Sequence, residues 1–254
     1  MSVITFLYIY AFVFGACIAS FINVVIYRLP LGIPISKGRS RCDSCGTQLK
    51  WYDLIPVISY VIYRGKCHYC GAKIGIRGWL LEIVGGLLGC LCFYHYGLSL
   101  MTIASFILAE ILIAVTFIDI DTMEIPNQLV VATGIMAILF AFIDPTVSLV
   151  SRVIGFFIVS APMLGLCYIK EGAFGGGDIK LIAMLGFLLG TVNVLVGTFI
   201  AIISAGIYAI ILLATKNTKL QAHMAFGPFL SAGCFIALLY GSQLLHTYLA
   251  LYGL

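Results

Sequence analysis

Charge is what this chain has least of. Only 9% of its 254 residues are Asp, Glu, Lys or Arg, against 62% hydrophobic residues; a soluble domain carries about a quarter charged. That scarcity excludes a water-soluble globule, and the formal charge of +4 is too small and too dispersed to read as a nucleic-acid surface. Several local signatures are absent as well. A phosphate-binding GxxxxGK[ST] loop fails because Asp178 stands where its Lys is required. There is no dinucleotide-type GxGxxG after a strand, no low-complexity segment and no clear internal repeat. No basic residue precedes Arg28, and the first apolar run is longer than a signal-peptide core, which predicts a retained first span.

What is present is a series of apolar runs, each near the ~20 residues that a helix needs to cross a bilayer. They lie at about 3–27, 79–96, 98–118, 128–143, 147–169, 179–192, 193–215 and 226–250. The expected fold is therefore an all-α polytopic membrane protein of about eight transmembrane helices. Cytoplasmic loops collect Lys and Arg. Arg28, Lys37, Arg39, Arg41, Lys50, Arg64, Lys66, Lys73 and Arg77 all fall in the one long polar loop at about 28–78. With that loop inside, alternation also puts Lys170, Lys180, Lys216 and Lys219 inside, leaving Arg152 as the exception among 14 basic residues. Both termini are then expected outside.

Four of the nine cysteines occupy this loop as Cys42-x2-Cys45 and Cys67-x2-Cys70, each pair followed by a glycine, Gly46 or Gly71. Two such knuckles bring four thiolates around a tetrahedral Zn²⁺, and a reducing cytosol disfavours the alternative of stable disulfides. A four-cysteine shell has no open position, so a structural zinc is expected. Redox-active or free thiols are the competing readings. His68, between two ligands, reads as a solvated turn residue. Cys17, Cys90, Cys92, Cys167 and Cys234 lie in apolar runs, where cysteine behaves as a small hydrophobe.

Acidic residues at membrane depth are functional candidates by default. The third run passes into TFIDIDTMEIPN, with Asp119, Asp121 and Glu124; the sixth opens on FGGGD, with Asp178. The topology puts both groups on the same face. Two facing carboxylates suggest an aspartic hydrolase, in which one ionised member activates water and one protonated member donates to the scissile carbonyl. Asp119 and Asp121 are rotated by about 200° on a helix, so only one can point at Asp178; Asp119, the deeper, is the candidate. Pro126 resets the backbone, and Asn127 reads as an N-cap. The glycines before Asp178 permit positive φ and a close approach of substrate backbone, although a Gly-rich turn between spans is also common.

Taken together, these residues resemble the bacterial type IV prepilin peptidases, membrane aspartic proteases of the GxGD type. The resemblance runs over nearly the whole chain. It includes Gly15, Ser20, Phe21, Asn23, Val24, Arg28, Leu29 and Pro30, the paired CxxC knuckles, DLIPVISY, RGKC, IDIDTMEIPN, GGGDIKL and FGPFL. It implies that Asp119 and Asp178 are the catalytic pair. It also implies removal of a short basic leader from prepilins or pseudopilins, after a glycine, at the cytoplasmic face of the bacterial inner membrane. Two-domain relatives also methylate the new amine with S-adenosylmethionine, an activity associated with the half that carries the cysteine loop. The implied division is residues 1–97 for that half and 98–254 for a six-helix peptidase.

One stretch departs from the family: IRGWLLE has Gly78 and Trp79 where relatives often have Tyr-Pro. Glu82 in this stretch is a candidate contact for the methyl donor or the substrate amine, or a partner of Arg77 or another loop cation. Asn23 and Arg28 fit a substrate groove or, for Arg28, a headgroup anchor. Lys180 fits tuning of Asp178 or snorkelling to the interface. Glu110 is expected in the span, with His95 as a candidate partner, and His223 in a loop. Membrane lipid is an expected partner. The rival functions are a carboxylate-relay transporter or channel and a zinc-stapled assembly scaffold.

Overall fold

Among the described residues, six helices are long and apolar enough to cross a membrane, and a seventh, of 17 residues, is shorter. The structure, a computed structural model, describes residues 2–36, 38–170, 172–214 and 224–251. The expectations for Lys37, Lys216, Lys219 and His223 fall outside the described residues. Among those residues no strand forms, and only two isolated bridges, Arg41 with Gln48 and Lys66 with Lys73, break the helical pattern. The chain divides into two compact units, Met1–Glu110 and Ile111–Leu254.

In the first unit, α1 (Val3–Arg28) starts at Ser2, whose Oγ accepts from Thr5 N. It packs on α3 (Ile76–Tyr96) through small residues. A side chain at Gly85 would strike Ala19, one at Gly86 would strike Phe12 and one at Gly89 would strike the Ala11 carbonyl. Backbones in lipid associate by such close approach, because lipid supplies no hydrophobic force between helices. Between α1 and α3 lie the cysteine loop, a 3₁₀ turn at Trp51–Leu54 and the short α2 (Ile58–Ile62). The departure at Gly78 and Trp79 has a packing reason. A Cβ at Gly78 would sit 3.0 Å from Asn23 Nδ2, and Trp79 stacks on Tyr60 with centroids 5.5 Å apart.

Helix α4 (Leu100–Thr122) runs across the division between the units. In the second unit it is followed by α5 (Asn127–Ile143), α6 (Leu149–Ile169), α7 (Gly176–Ala214) and α8 (Gly227–Leu251). The 39-residue α7 is two expected spans joined at Gly190, whose φ of 75° and ψ of 177° no helix contains. Packing shows that the chain reverses there. Before the break Gly186 meets Gly155 of α6; after it, Asn193 lies at Gly241 of α8 and Ala201 at Gly233. The two halves are antiparallel. Counting them separately gives the expected eight passes, with the break at Gly190 where the sequence placed it at 192/193.

Arg152 closes this hairpin. It is 1% exposed, and its guanidinium donates to the carbonyls of Leu188 (2.7 Å), Phe187 (3.4 Å), Phe140 (3.2 Å) and Asp144 (2.9 Å). The Phe187 and Leu188 carbonyls lie at the break in α7, that of Asp144 lies just past the end of α5, and that of Phe140 also accepts the Asp144 amide. Ser151 adds to the closure, its Oγ accepting from Thr191 N at 3.0 Å.

Candidate functional site

Asp119 sits in the last turn of α4, where the Met123 amide caps its carbonyl at 2.9 Å. Asp178 sits in the first turn of α7. Both are buried, at 4% and 9% exposure, and both line one cavity of about 370 Å³ within the second unit. The cavity is walled by the turn before α7, including Phe174 and Gly175, and by Met224 and Phe226 ahead of α8. The two predicted residues are therefore brought together from different helices. Asp121, two positions on, is exposed, as the rotation along a helix requires.

The two carboxylates are held differently. Asp119 Oδ2 accepts the amide of Gly227, the first residue of α8, at 2.8 Å. A side chain on Gly227 would reach to 2.6 Å from that oxygen. The sequence offered FGPF only as part of a family pattern and gave no sign that its amide orients Asp119. Asp178 Oδ1 is buried with no hydrogen-bond partner among the described residues. One acid is thus held by the amide of a distant helix, and the other keeps one buried oxygen without a partner beside the cavity.

Gly175, Gly176 and Gly177 all lack a positive φ, so backbone angle is not what requires glycine here; Gly175 and Gly177 are closely approached, and Gly176 has open space. A Cβ on Gly177 would lie 2.8 Å from that of Ile125, so the turn nests against IPN. A second correction concerns Asn127. Pro126 occupies the N-cap of α5, and Asn127 Oδ1 instead accepts from Lys180 Nζ at 3.0 Å, which ties the start of α5 to α7. Lys180 is thereby given a protein partner besides solvent.

In the first unit the ligand atoms of Cys42, Cys45, Cys67 and Cys70 all lie within 4.8 Å of one another. The sulfurs of Cys42 and Cys70 are 3.9 Å apart. A tetrahedral ion with metal–sulfur bonds of about 2.3 Å would set its sulfurs about 3.8 Å apart, so the donor set fits zinc. The local backbone prepares it. The Cys42 carbonyl accepts from Gly46 N at 2.8 Å and that of Cys67 from Gly71 N at 2.9 Å, one tight turn per knuckle. Contacts with the Thr47 side chain and backbone hold the Cys45 thiol down at about 6, and those with the Cys70 and Tyr69 backbone lower Cys67. Cys70, against the lowering effect of the Ala72 backbone, is pushed up to about 11 by burial and the neighbouring cysteines. His68 is outside the cluster; it packs edge-on against Tyr63, 4.7 Å between centroids. Asp53 links the pieces of the loop, its Oδ2 accepting from Lys50 N and from the Tyr69 hydroxyl, each at 2.9 Å.

Glu82 has a partner that the sequence did not suggest. Its Oε2 accepts from Val57 N at 2.7 Å, and Val57 has a φ of 63° that a β-branched residue rarely adopts. The carboxylate thus holds a strained turn ahead of α2. Glu110 is 1% exposed and lies against Gly85, and neither oxygen has a hydrogen-bond partner among the described residues. The expected bond to His95 does not form.

Comparison with known proteins matches residues 13–96 to a model described as the bacterial peptidase A24 N-terminal domain, and residues 106–210 to the type IV leader peptidase family. Curated relatives include proteins named prepilin leader peptidase/N-methyltransferase. The one from Neisseria gonorrhoeae is 33% identical over 89% of this chain and 88% of its own. Those from Myxococcus xanthus and Bacillus subtilis are 35% and 29% identical, over 82% and 94% of this chain and 64% and 96% of theirs. No solved structure gives a significant match.

Proposed function

Because the chain belongs to the type IV leader peptidase family, we propose that it cuts the basic leader from prepilins or pseudopilins, after a glycine, with Asp119 and Asp178 as the catalytic pair. The observation that carries this reading is the shared cavity, in which two buried acids from different helices meet and one keeps an unpartnered oxygen. Like charges at short range favour a single shared proton. The ionised carboxylate takes a proton from a bound water as its oxygen attacks the scissile carbonyl carbon. The protonated one gives its proton to the carbonyl oxygen. Collapse of the tetrahedral species breaks the C–N bond, and the leaving nitrogen takes the transferred proton. The leader then ends in a new carboxylate and the pilin begins with a new amine. Gly227 N fixes Asp119 throughout, and Phe174 and Phe226 form part of the cavity wall.

The N-terminal half, about residues 1–97, is assigned the methylation of that amine, and residues 98–254 the cleavage. S-adenosylmethionine, when bound, supplies an electrophilic methyl group; Glu82 is the residue of this half that we associate with it, by keeping the loop ahead of α2 in place. The four cysteines hold a structural zinc, which leaves no coordination position for substrate. Distribution of basic residues supports a cytoplasmic loop, with both carboxylates on that side of the inner membrane and both termini outside. A carboxylate relay fits less well, because Asp119 and Asp178 lie in terminal helical turns and not at mid-span.

The test uses purified protein, a prepilin and S-adenosylmethionine, with products read by mass. Asp119→Asn and Asp178→Asn are each expected to lower leader cleavage by about 10³-fold or more. A scaffold would tolerate both.

A further inference from the structure

A cavity of about 650 Å³ in the first unit serves neither the proposed peptidase pair nor the cysteine cluster. It opens at the end of α1 and is bounded by the segment that folds back after it. Arg28 fixes that fold, its Nη1 donating to the carbonyls of Pro34 (3.2 Å) and Ile35 (3.4 Å). Arg28, Arg39 and Arg41 line the cavity with Ser40, and Asp43 is the acid opposing them. Three guanidiniums against one carboxylate select an anion, and guanidinium forks match phosphate oxygens. The basic leader of a prepilin would be repelled, and the cationic sulfonium of S-adenosylmethionine is a poor match for the same reason.

Position narrows the anion. With 26 residues α1 is about 39 Å long, longer than a hydrocarbon core of about 30 Å, so its last turn reaches headgroup depth. Tyr27, in that turn, is 61% exposed and forms an apolar side of the cavity with Val24 and Ile33; Leu31, just after the turn, is 60% exposed beside it in sequence. Phosphate-binding side chains beside an apolar wall at headgroup level match a phospholipid better than a soluble phosphate. We propose that this cavity binds the phosphate of an anionic phospholipid and so ties the cysteine loop to the membrane surface. The amides of Asn23 and Gln48 are placed in its lining to meet the hydroxyls of a polyol headgroup.

The test is native mass spectrometry of the full-length protein in neutral detergent, titrated with phosphatidylglycerol or phosphatidylcholine. Phosphatidylglycerol is expected to bind more tightly. In Arg39→Gln/Arg41→Gln this preference should fall about 25-fold, about fivefold for each charge removed. Arg64→Gln, a loop cation outside the cavity, should leave it intact. Equal binding of the two lipids by the unmodified protein would overturn the proposal without reference to any variant. So would an equal loss in Arg64→Gln, which would make the preference one of bulk charge. Displacement of the lipid by millimolar glycerol phosphate or S-adenosylmethionine would assign the cavity to a soluble ligand and also overturn it. Retention of the lipid in their presence supports it.

Discussion

The two polar centres of this protein are built in opposite ways. The cysteine cluster is local: its ligands lie within one loop, each knuckle closes on its own backbone turn, and its outermost cysteines, Cys42 and Cys70, are 28 positions apart. The carboxylate pair is assembled by tertiary packing. Asp119 comes from α4 and Asp178 from α7, and the amide that fixes Asp119 is 108 positions away, at the start of α8. A local site tolerates rearrangement elsewhere, whereas an assembled one depends on every helix that meets there.

This contrast can be broken or sharpened by substitution. After the Asp→Asn variants, the largest effect is expected from Gly227→Ala. The added carbon would lie 2.6 Å from Asp119 Oδ2, and displacement of a catalytic group by about 1 Å can cost about 10²-fold. The expected fall is in kcat for cleavage, with KM nearly unchanged; an unchanged kcat would remove Gly227 from the site. Next comes Arg152→Met, a residue of α6 whose partners on α7, Phe187 and Leu188, lie well past Asp178. It strips hydrogen bonds from carbonyls of Phe140, Asp144, Phe187 and Leu188, at an expected cost of about 3 kcal/mol in stability, read by thermal unfolding in detergent. Arg152→Lys should restore part of it. The smallest effect on cleavage belongs to the local centre. Cys67→Ser should abolish zinc binding, measured by metal analysis, and lower leader cleavage by less than about tenfold. A fall matching that of the aspartate variants would mean the two centres are not separable.

The same contrast governs what could be read from the chain. Helices α1, α3 and α6 lie within a few residues of their apolar runs, because the need to satisfy every backbone group in lipid leaves little choice. The four cysteines were legible from spacing alone. The rotation between Asp119 and Asp121 also followed from helix geometry. The break at Gly190 was displaced, since an uninterrupted apolar run carries no polar mark where the chain turns. Arg152 read as the exception to the charge rule; in the structure it is buried and bound to carbonyls, so it is a structural cation and not an orienting one. Asn127 looked like a cap because nothing in its neighbourhood announced Lys180. The partners of Asp119 and Glu82 were equally hidden, because each accepts a backbone amide from a distant segment, and amides leave no trace in residue identity.

Proximity of positions 119 and 178 can be measured without substrate. In a chain whose five membrane cysteines (Cys17, Cys90, Cys92, Cys167 and Cys234) are replaced, Asp119→Cys and Asp178→Cys are introduced together and treated with a short bifunctional thiol reagent. The chain is then cut by an engineered protease site in the segment between α5 and α6. The two fragments are expected to stay joined until reduction. Fragments that separate freely, with both thiols labelled singly, would contradict that proximity.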